Sequence, residues 1–236
     1  MPELIRPSTV LPANRSLITI RTSDGLNLIG EVATPIGEIT GSLLMLHPNP
    51  SGGGMMDSHI YKKAANRLPA MAGLQIIRFN TRGTTSEAGT SDGEYDAGKS
   101  EELDVLAAIN YCFDELNVKD LYLIGWSFGT ELALQYGRDK RIKELILLSP
   151  PMLSTTQEDL DFWANDGRPI TALIPELDEY LTPEAARKRF ASVSNLKQID
   201  VKDAKHLWVG EPMVALVLSE IVKIIAPGRL PLPTEV

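Results

Sequence analysis

The chain reads as an α/β protein: a mostly parallel sheet of about eight strands, entered through an N-terminal antiparallel hairpin, with helices on both faces and a minimal cap. Three observations predict this. Short uninterrupted apolar runs recur along the sequence, and such runs suit strands buried on both sides. Helix-like stretches separate them, and strand–helix alternation builds parallel sheets through crossover connections. The pentapeptide Gly125-Trp126-Ser127-Phe128-Gly129 stands where one apolar run ends and a helix-like run begins.

Residues 16–22 and 26–34 alternate in part and meet at Ser23-Asp24-Gly25, a hairpin signal. Four buried-strand runs follow, at Ser42–Leu46, Leu74–Phe79, Leu121–Ile124 and Leu145–Leu148. Helix-like stretches lie between them at about 57–70, 98–115 and 128–138. A strand at 170–174, a helix around 183–190, a strand at 196–201 and a helix at about 211–225 complete the order. The Pro-rich tail 226–236 reads as an extended arm or a disordered end. With no internal repeat and no break in composition, residues 1–236 are expected to form one domain with its core at about 16–225.

Composition narrows the partners. Apolar residues make up 43% and charged residues 23% of 236 residues, an ordinary globular balance. The formal charge is -8 and no Lys/Arg block stands out, which argues against nucleic acid or an anionic membrane surface as a partner. Cys112 is the only cysteine, so an intramolecular disulfide and a thiolate metal site are both excluded. Its helix-like surroundings predict a buried, inert thiol. With no signal-peptide pattern at the start and no apolar stretch long enough to span a bilayer, a cytoplasmic location is the expectation.

Gly-x-Ser-x-Gly between strand and helix is the sequence of a nucleophile elbow, a turn so tight that the flanking positions have no room for a side chain. Ser127 is therefore the candidate nucleophile. A serine hydroxyl needs an adjacent base. Of the three histidines, His47, His59 and His206, only His206 follows Ser127, as the order serine, acid, histidine requires. It lies in a loop after a predicted strand, on the sheet edge where α/β proteins place ligands. The acid is expected in the loop Pro175–Pro183, where Asp178 is favoured over Glu176 because it lies within the loop ahead of the Thr182-Pro183 helix start. Backbone N–H groups must receive the developing oxyanion. Phe128 supplies one; in His47-Pro48-Asn49-Pro50 the prolines have no N–H, which leaves Asn49 as the second. The glycines 52–54 lack the Lys-Ser/Thr of a phosphate-binding loop. Arg82, Glu94, Glu102 and Asp104 are read as a structural ion-pair group rather than a functional one.

Taken together, His47–Pro50, Gly52–Gly54, Arg78-Phe-Asn-Thr-Arg-Gly83 and Gly-Trp-Ser-Phe-Gly make the chain resemble the α/β-hydrolase superfamily. More narrowly it is similar to small, lid-poor bacterial serine hydrolases, over about residues 16–225. The resemblance implies Ser127 as nucleophile, Asp178 as acid and His206 as base. Thr84-Thr85-Ser86 and Leu207-Trp208 depart from the family's usual residues at those places.

The expectation is a serine esterase that cleaves a small carboxylic ester through an acyl-enzyme, with no metal or cofactor. A peptidase, amidase or acyltransferase on the same three residues is the alternative, and a binding module without activity is a further one. Only about twenty residues separate the strands ending at 148 and starting at 170, too few for a cap of several helices. Met55, Met56, Trp126, Met152, Phe162 and Trp163 are candidate walls of the substrate pocket, and core packing explains each of them nearly as well.

Overall fold

Apolar runs of six or seven residues become the central strands here because helices cover the middle of the sheet on both sides. The computed structural model describes residues 4–235. In chain order the elements are β1 (Asn14–Arg21), β2 (Asn27–Thr34), β3 (Gly41–Leu46), α1 (His59–Ala72), β4 (Leu74–Phe79), β5 (Thr85–Ser86), β6 (Gly89–Thr90), α2 (Glu101–Asp114) and β7 (Leu121–Trp126). There follow α3 (Phe128–Tyr136), β8 (Ile142–Leu148), α4 (Gln157–Asp166), β9 (Ile170–Pro175), α5 (Pro183–Arg189), β10 (Leu196–Val201) and α6 (Glu211–Ile225).

Eight strands form one sheet in the order β1-β2-β4-β3-β7-β8-β9-β10, while β5 and β6 make a separate small hairpin. The β1–β2 and β2–β4 pairs are antiparallel and the remaining pairs parallel. This is the α/β-hydrolase fold that the sequence predicts. Side chains alternate across the sheet. Leu44 and Leu46 join a core with α2, α3, α4 and α5, while Leu43 and Met45 join a second core with α1 and α6. The apolar residues of α6, Val214, Val217, Leu218, Ile221, Val222 and Ile225, recur at helical spacing and are buried. Each stabilises by about 1.5–3 kcal/mol relative to exposure.

The connections decide where a ligand can sit. From β3 the chain enters α1, on one face, and moves to β4; from the neighbouring β7 it enters α3, on the other face, and moves to β8. The loops after β3 and β7 thus part in opposite directions and leave a crevice at the strands' carboxyl ends, the usual ligand position in such sheets.

One helix lies where the sequence predicts no element. The β8–β9 connection contains α4, started by a capping box in which Thr156 and Asp159 exchange side-chain and backbone hydrogen bonds, and ended at Gly167 with φ of 78°. Leu160 and Trp163 of α4 pack into the first core, so α4 is part of the body rather than a lid over the crevice. The tail begins with a 3-10 turn at Pro227–Arg229 and then lies along the body. Leu230 and Leu232 pack on the second core, and the Ile5 N–H donates to Thr234 at 2.9 Å. Cys112 is buried, and burial pushes its thiol up to about 12. Among the described residues no helix is long and apolar enough to cross a membrane.

Candidate active site

Ser127 occupies the turn between β7 and α3 with φ 53° and ψ -121°, a conformation that costs a non-glycine residue about 1–3 kcal/mol. Its neighbours make that turn possible. A Cβ on Gly125 would stand 2.2 Å from the Gly129 carbonyl oxygen, and one on Gly129 would stand 2.0 Å from that of Leu46. The Thr130 N–H and hydroxyl both donate to the Ser127 carbonyl, at 2.8 and 2.6 Å, and the Ser127 N–H donates to Leu148 at 2.9 Å. The serine is thereby held at the crevice between β3 and β7.

The loop after β10 brings His206 to it. Nε2 of His206 lies 2.8 Å from Ser127 Oγ. On the other side of the ring, Nδ1 lies 2.9 Å from Oδ2 and 3.1 Å from Oδ1 of Asp178. A carboxylate at Nδ1 calls for the proton there, leaving the Nε2 lone pair to accept from the serine hydroxyl. Asp178 is fixed by the β9–α5 loop, since its Oδ1 also accepts from the N–H of Tyr180 at 2.8 Å. Both Asp178 and His206 are buried. The His206 carbonyl accepts from Trp126 Nε1 at 3.2 Å and Ser149 Oγ at 3.1 Å, and the Tyr180 ring lies 4.6 Å from the imidazole. Glu176 does not reach the histidine. It is exposed and accepts from the Asp203 N–H at 2.8 Å, within the loop that carries His206.

His47 and His59 stand apart from this relay. The His47 ring is buried, with Nδ1–H donating to the Pro48 carbonyl at 2.7 Å and Nε2 accepting from the Thr81 N–H at 3.0 Å. Burial lowers its pKa from 6.5 to about 4, so it braces the loop as a neutral ring. In that loop Asn49 Oδ1 accepts from the Ser51 N–H at 2.9 Å and caps a 3-10 turn. The N–H groups of Asn49 and Phe128 donate to no group among the described residues. Asn49, Ser127 and Phe128 line one cavity of about 210 Å³. His59 instead meets the Trp208 carbonyl at 3.2 Å and the Trp126 ring at 5.2 Å.

The Arg78–Gly83 segment holds the frame. Arg78 Nη2 pairs with Glu31 at 2.9 Å, Nη1 with Asp57, and Asn80 Oδ1 accepts from the Met56 N–H at 2.9 Å. Arg82 meets the fully buried Asp104 at 2.8 Å and Asp24 at 3.1 Å. Glu94 and Glu102, expected in this group, are exposed and form no ion pair among the described residues. The buried acid nearby is Glu101, which accepts from the N–H groups of Asp96 and Gly98, each at 2.8 Å.

The six expected pocket walls require correction. Met56 is buried, Trp126 is buried in the second core, and Trp163 is buried in the first with Nε1 donating to Leu134 at 2.8 Å. Phe162 lies under the Arg138 guanidinium at 4.6 Å, and Met152 packs against the first core. These five, and Met55, do not line the cavity beside Ser127. Its walls come from Tyr95, Ala97, Glu131, Pro151, Leu153, Ser154 and Tyr180. Of these, Glu131 was within reach of sequence reasoning, one helical turn beyond Ser127. Tyr95 and Pro151 come from loops with no periodic signal. Among the described residues, no three His, Cys, Asp or Glu side chains gather to hold a metal ion.

A family model described as alpha/beta hydrolase fold matches residues 41–170. A search of curated proteins finds no match. Among solved structures, XC6422 from Xanthomonas campestris, described as an a/b serine hydrolase without lid, superposes with a TM-score of 0.73 at 21% identity, covering 96% of this chain and 100% of that one. The esterase Pf2001 from Pyrococcus furiosus gives 0.76 at 17%, covering 95% and 98%. Est1E from Butyrivibrio proteoclasticus, with ferulic acid bound, gives 0.69 at 20%, covering 90% and 99%. At these identities the likeness is one of fold.

Proposed function

The chain belongs to the alpha/beta hydrolase fold family, and from that premise we propose that it is a serine hydrolase cleaving a small carboxylic ester. The observation that carries the reading is the continuous contact Ser127 Oγ–His206 Nε2 at 2.8 Å and His206 Nδ1–Asp178 Oδ2 at 2.9 Å. As Ser127 Oγ attacks the ester carbonyl carbon, its proton passes to His206 Nε2, and the carbonyl electrons move onto oxygen. Asp178 keeps the imidazole in the required tautomer and stabilises the imidazolium. The N–H groups of Asn49 and Phe128 receive the oxyanion, each worth roughly a hundred- to a thousandfold in turnover. The imidazolium then gives its proton to the departing alkoxide, leaving an acyl-enzyme and a free alcohol. Water deprotonated by the same histidine attacks the acyl carbon, the carboxylic acid leaves, and Ser127 is restored.

The small cavity favours a short group on at least one side of the ester, and its open mouth admits the water that deacylation needs. A leaving alcohol asks less of the acid step than a leaving amine, and the fold is shared with esterases. Hydrolysis of p-nitrophenyl acetate, measured beside that of an amino-acid p-nitroanilide, tests the reading. The ester should be cleaved, the anilide far more slowly, and Ser127→Ala should lose roughly a thousandfold or more in kcat. Faster cleavage of the anilide, or an unchanged rate in Ser127→Ala, would overturn it.

A further inference from the structure

The cavity in front of Ser127 holds one charged side chain, Glu131, and its lining contains no Lys, Arg or His. Glu131 lies on α3 four residues beyond Ser127, roughly 6 Å along the helix axis. It is only 4% exposed. One carboxylate oxygen is engaged: Oε1 accepts the N–H groups of Ser154 and of Thr155, the latter at 3.2 Å. The other oxygen, Oε2, accepts nothing from the described residues, and Glu131 forms no ion pair among them. Nor is Oε2 one of the sealed buried atoms without a partner, and Glu131 is a lining residue of the cavity.

A carboxylate largely withdrawn from water is costly unless a donor or a cation faces it. The surroundings raise that demand. Tyr95, edge-on to Phe128 at 5.5 Å, forms one wall, and Tyr180, 4.6 Å from the His206 ring, forms another. Burial raises the Tyr95 phenol pKa, and the charges of Glu101 and Glu131 raise it further, so this wall lies in a negative field. Aromatic rings and a lone carboxylate around a small cavity are the chemistry that receives an ammonium group.

Resting on the ester-hydrolase reading above, we infer that the cavity is selective for esters carrying a cationic ammonium group, which Glu131 Oε2 faces and Tyr95 and Tyr180 flank. Bracing the Ser154–Thr155 backbone uses only Oε1, and a substituted glutamine retains that acceptor while removing the charge. Glu131 is therefore a specificity-determining residue as well as a brace.

The test compares acetylcholine, the acetate ester of choline, with 3,3-dimethylbutyl acetate, a neutral carbon isostere of the same shape, in wild type and in Glu131→Gln. The ratio of their kcat/KM values should be about tenfold in favour of the cation in wild type and fall to about one in the variant. A ratio near one in wild type overturns the inference. So does a ratio that survives in Glu131→Gln while both rates fall, the signature of bracing alone. Choline binding to Ser127→Ala, followed by calorimetry with and without the additional Glu131→Gln change, is independent of turnover. Saturable choline binding that is lost with Glu131, found where no ester is cleaved, leaves the ammonium site standing but overturns the hydrolase reading and with it the selectivity for esters. Ester cleavage without preference and without choline binding sinks the inference and leaves the hydrolase reading standing.

Discussion

Hydrogen-bond partners give the histidines of this chain opposite tasks. At His206 a carboxylate takes Nδ1–H and a hydroxyl faces Nε2, so the ring presents an acceptor to the serine. At His47 a carbonyl takes Nδ1–H and a main-chain N–H occupies Nε2, so the buried ring stays neutral. Replacing His206 with Ala should lower kcat by roughly a thousandfold or more, whereas His59→Ala, outside the relay, should stay near the wild-type rate. Steady-state kinetics on one ester would show it, and equal losses would remove His206 from its role. For His47, the unfolded chain takes up a proton near 6.5 and the folded chain only near 4. Its contribution to stability is therefore intact above 6.5 and lost as pH falls, by about 2 kcal/mol at pH 5. Urea unfolding at pH 7.5 and pH 5 should show a smaller pH-dependent loss in His47→Gln than in wild type. An identical loss in both would contradict the neutral buried ring.

The elbow is an element-scale device, because a strand and a helix can join in so few residues only where two positions lack a Cβ. Gly129→Ala sets a Cβ 2.0 Å from a backbone oxygen of β3, which cannot swing aside as a side chain would. Denaturant unfolding should register a loss of about 3 kcal/mol or more, or no folded protein at all. Gly52→Ala, whose Cβ meets nothing within 4 Å, should stay within about 0.5 kcal/mol of wild type. Comparable stabilities would refute the steric account of the turn. The Arg78–Gly83 segment works on the same scale, tying β4 to β2, to the loop before α1 and to α2. Arg82→Met leaves Asp104 buried and unpaired and should cost about 3–5 kcal/mol. Adding Asp104→Leu should recover much of it, and a purely additive double variant would count against the pairing.

At the scale of the whole molecule, legibility follows how local the governing physics is. The strands of the parallel sheet were readable because burial on both sides writes a continuous apolar run, as in Leu43–Leu46 and Leu145–Leu148. The elbow was readable because its two glycines answer to contacts within a few residues and one strand. Asp178 and His206 needed only loop positions after two strands. Helix α4 is hard to read because in ten residues its buried face holds only two apolar residues, Leu160 and Trp163, beside the polar Asp159, although Thr156 and Asp159 carry a capping signal. The pocket was the least readable part. Its walls converge from loops after β6, β8 and β9 and from α3, and large apolar residues such as Trp126 and Trp163 announce hydrophobicity without saying which side of the sheet they fill. The central claim is that Ser127 is activated by its contact with His206. Mass spectrometry of the protein treated with a fluorophosphonate tests it most directly. One adduct, mapped to Ser127, absent in Ser127→Ala and much slower to form in His206→Ala, is the expected result. No adduct, or one formed at the same rate without His206, would contradict it.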